Sequence, residues 1–485
     1  MSTPKARRIY CNRTLNLRSI QAIGYDMDYT LIHYRVDEWE SHAYAHTQRL
    51  FESRGWPVSK LSFDPDRMIR GLIIDTELGN VLKANRFGFV KRAHHGTRPI
   101  PYEEMRKAYS GVIVDLGERR FKFMNTLFSL SEATLYAQLV DMMDAGELEN
   151  ALGYEELYRQ VRSTVDYAHL EGRLKGDIMA DPDRFVSLDA ETPLALLDQH
   201  HAGKKLILIT NSGWRYTLAM MRYAFERYLP SNMKWEELFD LIIVEARKPT
   251  FFSQSNPAFE IVNQDGLLTP VREKLERRGR YVGGNASMLE ACLDLEGDQV
   301  LYVGDHLFSD VHVTKNIQRW RTALVLREIE EELDAMETFA SDKKELEKLM
   351  AKKTELEGES YSLKLALQRR KKGYALNGDI DKKALARRLE TVRQELLELD
   401  QQIKPLAERA DQVSNASWGP LMRAGNDKSH LAQQVEQYAD IYLSRVSNFV
   451  HATPFAYMRS ARGTLPHDPD PIPDERVTEP VAGEL

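Results

Sequence analysis

The residues Gly24-Tyr25-Asp26-Met27-Asp28-Tyr29-Thr30-Leu31 decide how the rest of the chain is read. The apolar run from Ile20 to Tyr25 before them reads as a buried strand. It ends in two carboxylates one residue apart, with a threonine two residues after the second. Carboxylates at the end of an apolar strand are costly to desolvate, so a strand that delivers two of them implies a cation or a reaction that uses them.

Further along the chain the pattern returns. A helix over Pro193 to His201, with Thr192 as its expected N-cap and Gly203 beyond its end, leads into the apolar strand Lys205 to Ile209, which ends in Thr210-Asn211-Ser212. A helix over 214–228 follows. The strand Leu241 to Val244 ends near Lys248-Pro249, the strand Gln299 to Val303 ends in Gly304-Asp305 with Asp310 close behind, and Arg321 to Leu326 reads as one more. Continuous apolar runs separated by helices imply an α/β fold, a doubly wound parallel sheet covered on both faces. Ligands of such sheets bind at the carboxyl ends of the strands, where every one of these polar clusters falls.

Residues 34–175 break the α/β alternation and are expected to form an inserted α+β cap domain between two parts of the core, 1–33 and 176–328. Within it, Glu38 to Arg54, 131–145 and 153–171 read as helices. Gly71 to Asp75 reads as a strand, followed by a hairpin near Leu78-Gly79-Asn80 and a strand through Val81 and Leu82. Residues 329–412 carry a heptad seam. In the second half it runs through Leu385, Leu389, Val392, Leu396, Leu399, Ile403 and Leu406; the first half repeats it less cleanly, with Leu346, Leu349, Leu356, Leu363 and Leu367, and with Lys353 and Ser360 at seam positions. Gly373 to Asp381 separates the halves. This predicts a helical hairpin, packed on itself or against a partner. Residues 413–460 are expected to pack on the core through an amphipathic helix over 429–449, and the tail 461–485, with five prolines and six acids in its last twenty residues, to be disordered.

The chain has 485 residues, 42% hydrophobic and 29% charged, with a net charge of -7 and two cysteines. That length implies two or three domains. The charge offers no electrostatic footprint for nucleic acid. Cys11 and Cys292 form neither a disulfide framework nor a metal-binding spacing, which fits a reducing compartment. No apolar run follows Lys5, Arg7 and Arg8 as in a signal peptide, and none reaches the ~18 residues of a membrane span. A cytoplasmic protein with no membrane partner is expected.

The four strand ends together suit phosphoryl transfer. A carboxylate can attack phosphorus once the phosphate charge is neutralised. A hard divalent cation, Mg²⁺ foremost, accepts carboxylate and backbone oxygens. Hydroxyl and amide groups donate to the phosphate oxygens, a lysine offsets growing negative charge, and a second carboxylate protonates the leaving oxygen and later activates water. Each piece alone also has an ordinary reading as a turn or helix cap; their shared position and chain order do not.

Asp26-x-Asp28-x-Thr30, Thr210-Asn211-Ser212, Lys248-Pro249 and Gly304-Asp305-His306-x-Phe308-x-Asp310 resemble the four motifs of the haloacid dehalogenase (HAD) superfamily. The fuller stretches Asp26-Met27-Asp28-Tyr29-Thr30-Leu31 and Arg247-Lys248-Pro249-x-Phe251-Phe252 look like the cytosolic purine 5′-nucleotidase family, which hydrolyses IMP and GMP. The likeness covers most of 10–328 and resumes over 417–460 through Arg423-x-Gly425 and Gln434-Val435-x-x-Tyr438-Ala439-Asp440-x-Tyr442. It implies that Asp26 is the nucleophile, that Asp28 is the general acid and then base with its backbone on Mg²⁺, and that Thr210 and Lys248 hold the phosphate beside Asn211 and Ser212. It also implies that Asp305 and Asp310 complete a metal site with Asp26 and Asp28.

The resemblance extends to a purine pocket in the inserted domain: Asn125 with Phe128 stacking on the base, and Arg162, Asp166, His169 and Lys175. On a helix over 153–171, Arg162, Asp166 and His169 share one face. Arg, His and Lys donors suit the O6 and N7 acceptors of a 6-oxopurine and leave adenine poorly matched. The resemblance therefore implies purine nucleoside monophosphates as substrates, and it also implies a homo-oligomer, dimer or tetramer. The resemblance also implies phosphotransfer to a second nucleoside. Two other functions stay open from the residues: a phosphatase for another phosphometabolite, and a partner-binding protein acting through the 329–412 hairpin.

Overall fold

The structure, a computed structural model, describes residues 3–148, 153–170, 172–374 and 381–461. The expected tail beyond 461 and most of the break between the two long helices, 375–380, lie outside the described residues.

The main sheet has ten strands: β1 (Ile9–Cys11), β2 (Ala22–Tyr25), β3 (Lys205–Ile209), β4 (Leu241–Val244), β5 (Ala258–Ile261), β6 (Leu268–Pro270), β7 (Gly279–Gly283), β8 (Val300–Gly304), β9 (Arg321–Val325) and β10 (Ile441–Leu443). Their order across the sheet is β1-β10-β9-β8-β2-β3-β4-β7-β5-β6. From β10 to β7 all neighbours are parallel; β1 at one edge and the β5-β6 pair at the other run antiparallel. The chain leaves central β2 toward β3 on one side and later returns on the other side through β8. That reversal of direction is where such sheets open a crevice for ligands.

The strands are apolar throughout because both faces are covered. Ile23, Tyr25, Leu206, Leu208, Ile242, Val244, Leu301 and Val303 belong to one buried cluster, completed by Trp214, Met221 and Phe225 from the helix Trp214–Phe225. Their neighbours Ala22, Ile207, Ile209, Leu241, Ile243, Val300 and Tyr302 belong to another, with Leu289, Leu293 and Trp320. This alternation is the two-residue period of a strand. Each fully buried Leu or Ile contributes about 1.5–3 kcal/mol.

A second unit leaves the sheet after β2. The short strand His33–Tyr34 leads out and pairs antiparallel with Val186–Ser187, on which the chain returns. Between them lie the helix Val36–Ser53, a five-stranded antiparallel sheet built on Ile73–Asp75 and Asn80–Ala84, and the helices Leu130–Asp144, Tyr154–Leu170 and Arg173–Ala180. Farther on, the helices Ala340–Lys372 and Lys382–Gln412 pack together, with Leu349 and Leu356 in one buried cluster with Val392, Leu399, Ile403 and Leu406. At the seam position Lys353, the ammonium escapes burial by reaching Asp400 at 2.6 Å.

Two local expectations are corrected. The helix before β3 is Glu191–His201, so Thr192 lies inside its first turn, and Asp189 Oδ1 accepts from the Glu191 amide at 3.0 Å instead. The expected helix over 429–449 is only His430–Tyr438; Tyr442 lies in β10, and Phe449 in a short 3₁₀ segment, Val446–His451. The Tyr and Phe spacing suits a helix, but Asp440 breaks it. Its buried carboxylate binds Lys315 and the Thr322 amide, fixing the chain beside β9 where Ile441 to Leu443 pair as a strand.

Candidate active site

Four strand ends meet above the middle of the sheet. The Asp26 amide donates to the Val303 carbonyl at 2.9 Å, so the pairing of β2 with β8 sets Asp26 level with the end of β8. A tight turn follows, in which the Met27 carbonyl accepts from the Thr30 and Ile32 amides and Tyr29 adopts a φ of 55°. The chain folds back, and the Asp28 carboxylate meets the loop after β3, where Ser212 Oγ donates to Oδ2 at 2.5 Å.

That loop contains Thr210 and Ser212, both buried, with the Ser212 amide donating to Thr210 Oγ1 at 3.1 Å. Asn211 between them is otherwise engaged. Its Oδ1 accepts from the Lys248 amide at 2.7 Å and its Nδ2 donates to the Lys248 carbonyl at 3.2 Å, which fixes the loop after β4. Lys248 reaches in from that loop. Its Nζ lies 2.8 Å from Asp26 Oδ1 and 2.8 Å from Asp310 Oδ1, and it donates to Tyr302 Oη at 3.0 Å.

β8 ends at Gly304. A Cβ there would sit 2.5 Å from Asp310 Oδ2, so only glycine lets the wide π-type turn Leu307–His312 come so close. The turn returns Asp310 beneath the strand end, where the His306 amide donates to Oδ2 at 3.1 Å. Asp26, Asp305 and Asp310, all buried, each present a carboxylate oxygen within 4.8 Å of the others. Three carboxyl oxygens are a donor set that a hard divalent cation takes. Asp28 is outside this triad of side chains.

The electrostatics are strained in a consistent direction. Burial, and then the carboxylates of Asp310 and Asp28, push Asp26 up to about 7 against the pull of Lys248. Burial, and then the carboxylates of Asp26 and Asp310, hold Asp305 well above the usual carboxylate range, and its Oδ2 is buried without a hydrogen-bond partner. Burial alone would lower the Lys248 ammonium, but Asp26 and Asp310 outweigh it. Three acids against one ammonium leave the pocket short of positive charge.

From the inserted domain, Lys175 enters the same site: its Nζ donates to Ser212 Oγ at 2.8 Å and lies 4.9 Å above the Tyr216 ring. The Phe128 ring is half-buried in an aromatic group, edge-on to Tyr29 at 4.7 Å, Trp39 at 5.4 Å and His169 at 6.0 Å. Burial, reinforced by Lys175, lowers His169 to about 4, so its ring is neutral. Arg162 and Asp166 do share a face, but the guanidinium is held by carboxylates, Glu132 at 2.7 Å and Asp166 at 3.1 Å. Asn125 is placed by its carbonyl, which accepts from Arg70 Nε at 3.1 Å.

Sequence reasoning missed several groups. Buried Arg70 donates to the Asp305 carbonyl as well as to Asn125, joining the inserted domain to the acidic cluster. Tyr34 and Tyr216 lie beside Asp28. Tyr302 holds Lys248, and Glu132 holds Arg162. Tyr34, Tyr216 and Tyr302 stand within four residues of Thr30, Ser212 and Gly304, but nothing in their spacing showed which way they face.

The model of the 5′ nucleotidase family matches residues 9–470. The chain is 27% identical over 455 residues to the human 5′-nucleotidase domain-containing protein 2, which covers 90% of this chain and 81% of that one. It is 26% identical over 480 residues to a 5′-nucleotidase domain-containing protein of Dictyostelium discoideum, covering 95% and 74% respectively. The matched segment takes in β1 through β10 and every side chain of the acidic cluster, and on that breadth the chain belongs to the 5′ nucleotidase family and is a phosphoric monoester hydrolase.

Proposed function

We propose that the chain is a Mg²⁺-dependent 5′-nucleotidase that hydrolyses 6-oxopurine nucleoside monophosphates, IMP and GMP, through an aspartyl-phosphate, as the likeness to HAD phosphatases implies. The observation that carries this reading is the meeting of three buried carboxylates and one lysine at the strand ends, with a fourth carboxylate, Asp28, held apart by its own donors.

Asp26 Oδ1 is occupied by Lys248 and by the Met27 amide at 2.8 Å, which leaves Oδ2 as the attacking oxygen. In the first step a bond forms from that oxygen to phosphorus, the bond to the 5′ oxygen breaks, and Asp28 gives its proton to the departing oxygen. In the second step a water oxygen bonds to phosphorus, Asp28 takes the water proton, and the acyl-phosphate bond between phosphorus and the Asp26 oxygen breaks. A sugar hydroxyl replacing that water gives phosphotransfer. Thr210, Ser212 and Lys248 face the phosphate.

The donor set and the partnerless Asp305 Oδ2 fit Mg²⁺, which Asp26, Asp305 and Asp310 would hold. When bound, the ion neutralises phosphate charge. Neutral His169 beside Phe128 supplies one donor for a 6-oxopurine, and the Arg162 guanidinium, fixed by Glu132 and Asp166, supplies another. Lys175, against Ser212, is nearer the phosphate than the base. The free cysteines fit a reducing, cytoplasmic compartment.

The test is kcat/KM for IMP, GMP, AMP, CMP and sugar phosphates, with Mg²⁺ and with chelator. IMP and GMP are expected to lead, and all rates to vanish with chelator. IMP and GMP no better than sugar phosphates would remove the purine assignment.

A further inference from the structure

The carboxyl of Asp28 is gripped on both oxygens. Ser212 donates to Oδ2 at 2.5 Å, and Tyr34 Oη donates to Oδ1 at 2.5 Å. Tyr34 also lies 2.9 Å from Tyr216 Oη; because its own hydrogen points to Asp28, it accepts from Tyr216. Both phenols are buried, Tyr34 completely, and a phenol keeps its proton at neutral pH, so both are available as donors. The Lys175 ammonium above the Tyr216 ring polarises that phenol further.

Tyr34 is itself held on several sides. It sits in the strand His33–Tyr34, paired to Val186–Ser187 where the inserted domain joins the core. Its ring packs against Trp39 at 4.6 Å and Tyr29 at 5.3 Å. An aspartate on a turn has no such rigidity, because the last torsion of its carboxyl is broad and roughly two-fold. Proton transfer to a departing oxygen requires one carboxyl oxygen at a fixed place and angle.

We propose that Tyr34, backed by Tyr216, is a positioning residue that keeps Oδ1 of Asp28 as an acceptor; the Ser212 hydroxyl can rotate to accept as well as donate, so the transferable proton resides on Oδ2, on the side of Ser212 and the phosphate loop. This rests on the reading of Asp28 as general acid. Nothing in the sequence motifs points to a tyrosine here; the contact joins residues 6 and 182 positions apart.

The test exploits leaving groups. Release of a nucleoside 5′ oxygen needs a proton, whereas release of p-nitrophenolate does not. kcat/KM is compared because it covers only the steps through departure of the leaving group. Tyr34→Phe is expected to lower kcat/KM for the nucleotide by about 10–100-fold, a part of the about 10²–10⁴-fold that a general acid supplies, and for p-nitrophenyl phosphate by less than about 3-fold. Tyr216→Phe should show the same contrast, more weakly, and decides the matter if Tyr34→Phe does not fold. Equal losses on both substrates, or no loss on the nucleotide, overturn the proposal. Asp28→Asn separates the two levels. If it too lacks the contrast, the general-acid reading has failed; if it has the contrast and Tyr34→Phe does not, only the positioning role has failed. Should the wild type ignore nucleotides, an alkyl phosphate replaces them and the contrast is read in the same way.

Discussion

Replacing Asp305 by Asn is expected to stabilise the metal-free protein while abolishing turnover. Asp305 is buried at 3% exposure, crowded by Asp26 and Asp310, and its Oδ2 has no partner. Its folded carboxyl is raised well above its unfolded value near 3.9. The group therefore contributes full stability below that unfolded value and loses it as pH rises toward the raised folded one. At pH 7 the penalty is bounded by the cost of keeping the carboxyl protonated about three units above its unfolded pKa, about 4 kcal/mol. Asn has the same shape and carries no charge, so the variant should be more stable in chelator, by no more than that bound. Calorimetry or a dye-based melt in EDTA at pH 7 and near pH 4 reads this, and the difference should shrink on acidification. Excess Mg²⁺ should narrow the gap and, at about a thousand times its dissociation constant, close or reverse it, because the wild type with all three carboxylates gains about 4.1 kcal/mol of linkage energy. An Asn variant less stable than wild type in chelator at pH 7, or a difference indifferent to pH, would refute the reasoning.

Asp26→Asn should leave the circular dichroism unchanged and lower kcat for any phosphate ester by at least about 10³-fold; activity near wild type would remove Asp26 as nucleophile. Gly304→Ala places a methyl 2.5 Å from Asp310 Oδ2, so it should cost about 1–3 kcal/mol in a denaturant titration and most of the activity. Leu399→Ala, at a position 3% exposed between the two long helices, should lower hairpin stability by about 2–5 kcal/mol as read by helical melting, with kcat unchanged; a fall in kcat would tie the hairpin to the site.

The parallel strands were legible in the sequence because burial on both faces writes itself as unbroken apolar runs, as in Lys205 to Ile209 or Val300 to Val303. The strand ends were legible for the same reason: polar residues begin abruptly where the sheet stops, at Asp26, Thr210 and Asp305. Very short strands leave no such record. Ile441 to Leu443 is three residues, and its flanking aromatics mimic a helical period until Asp440 finds Lys315 and Thr322 in three dimensions. Side chains that serve a site from across the fold are equally silent. Arg70 holds a carbonyl 235 residues away, and the partners of Arg162 turned out to be carboxylates, one of them on a different helix. The spacing of Arg162 and Asp166 gave the shared face but not the Glu132 that fixes it.

The strand Ile441–Leu443 has a consequence for how this protein is made. It lies between the strand Arg321–Val325 and the strand Ile9–Cys11, so one of the last described segments is wedged between two earlier ones. While the chain emerges from the ribosome, Arg321–Val325 stays an open edge, and Ile9–Cys11 has nothing to pair with, until more than a hundred further residues have been synthesised. An unpaired edge of that kind invites strand addition by other chains. The hairpin that intervenes can form from local contacts alone and keeps the unfinished length compact, which shortens the search by which Ile441 to Leu443 find their slot. Nascent chains arrested before Ile441 should therefore occupy chaperones, and those arrested after the slot is filled should not.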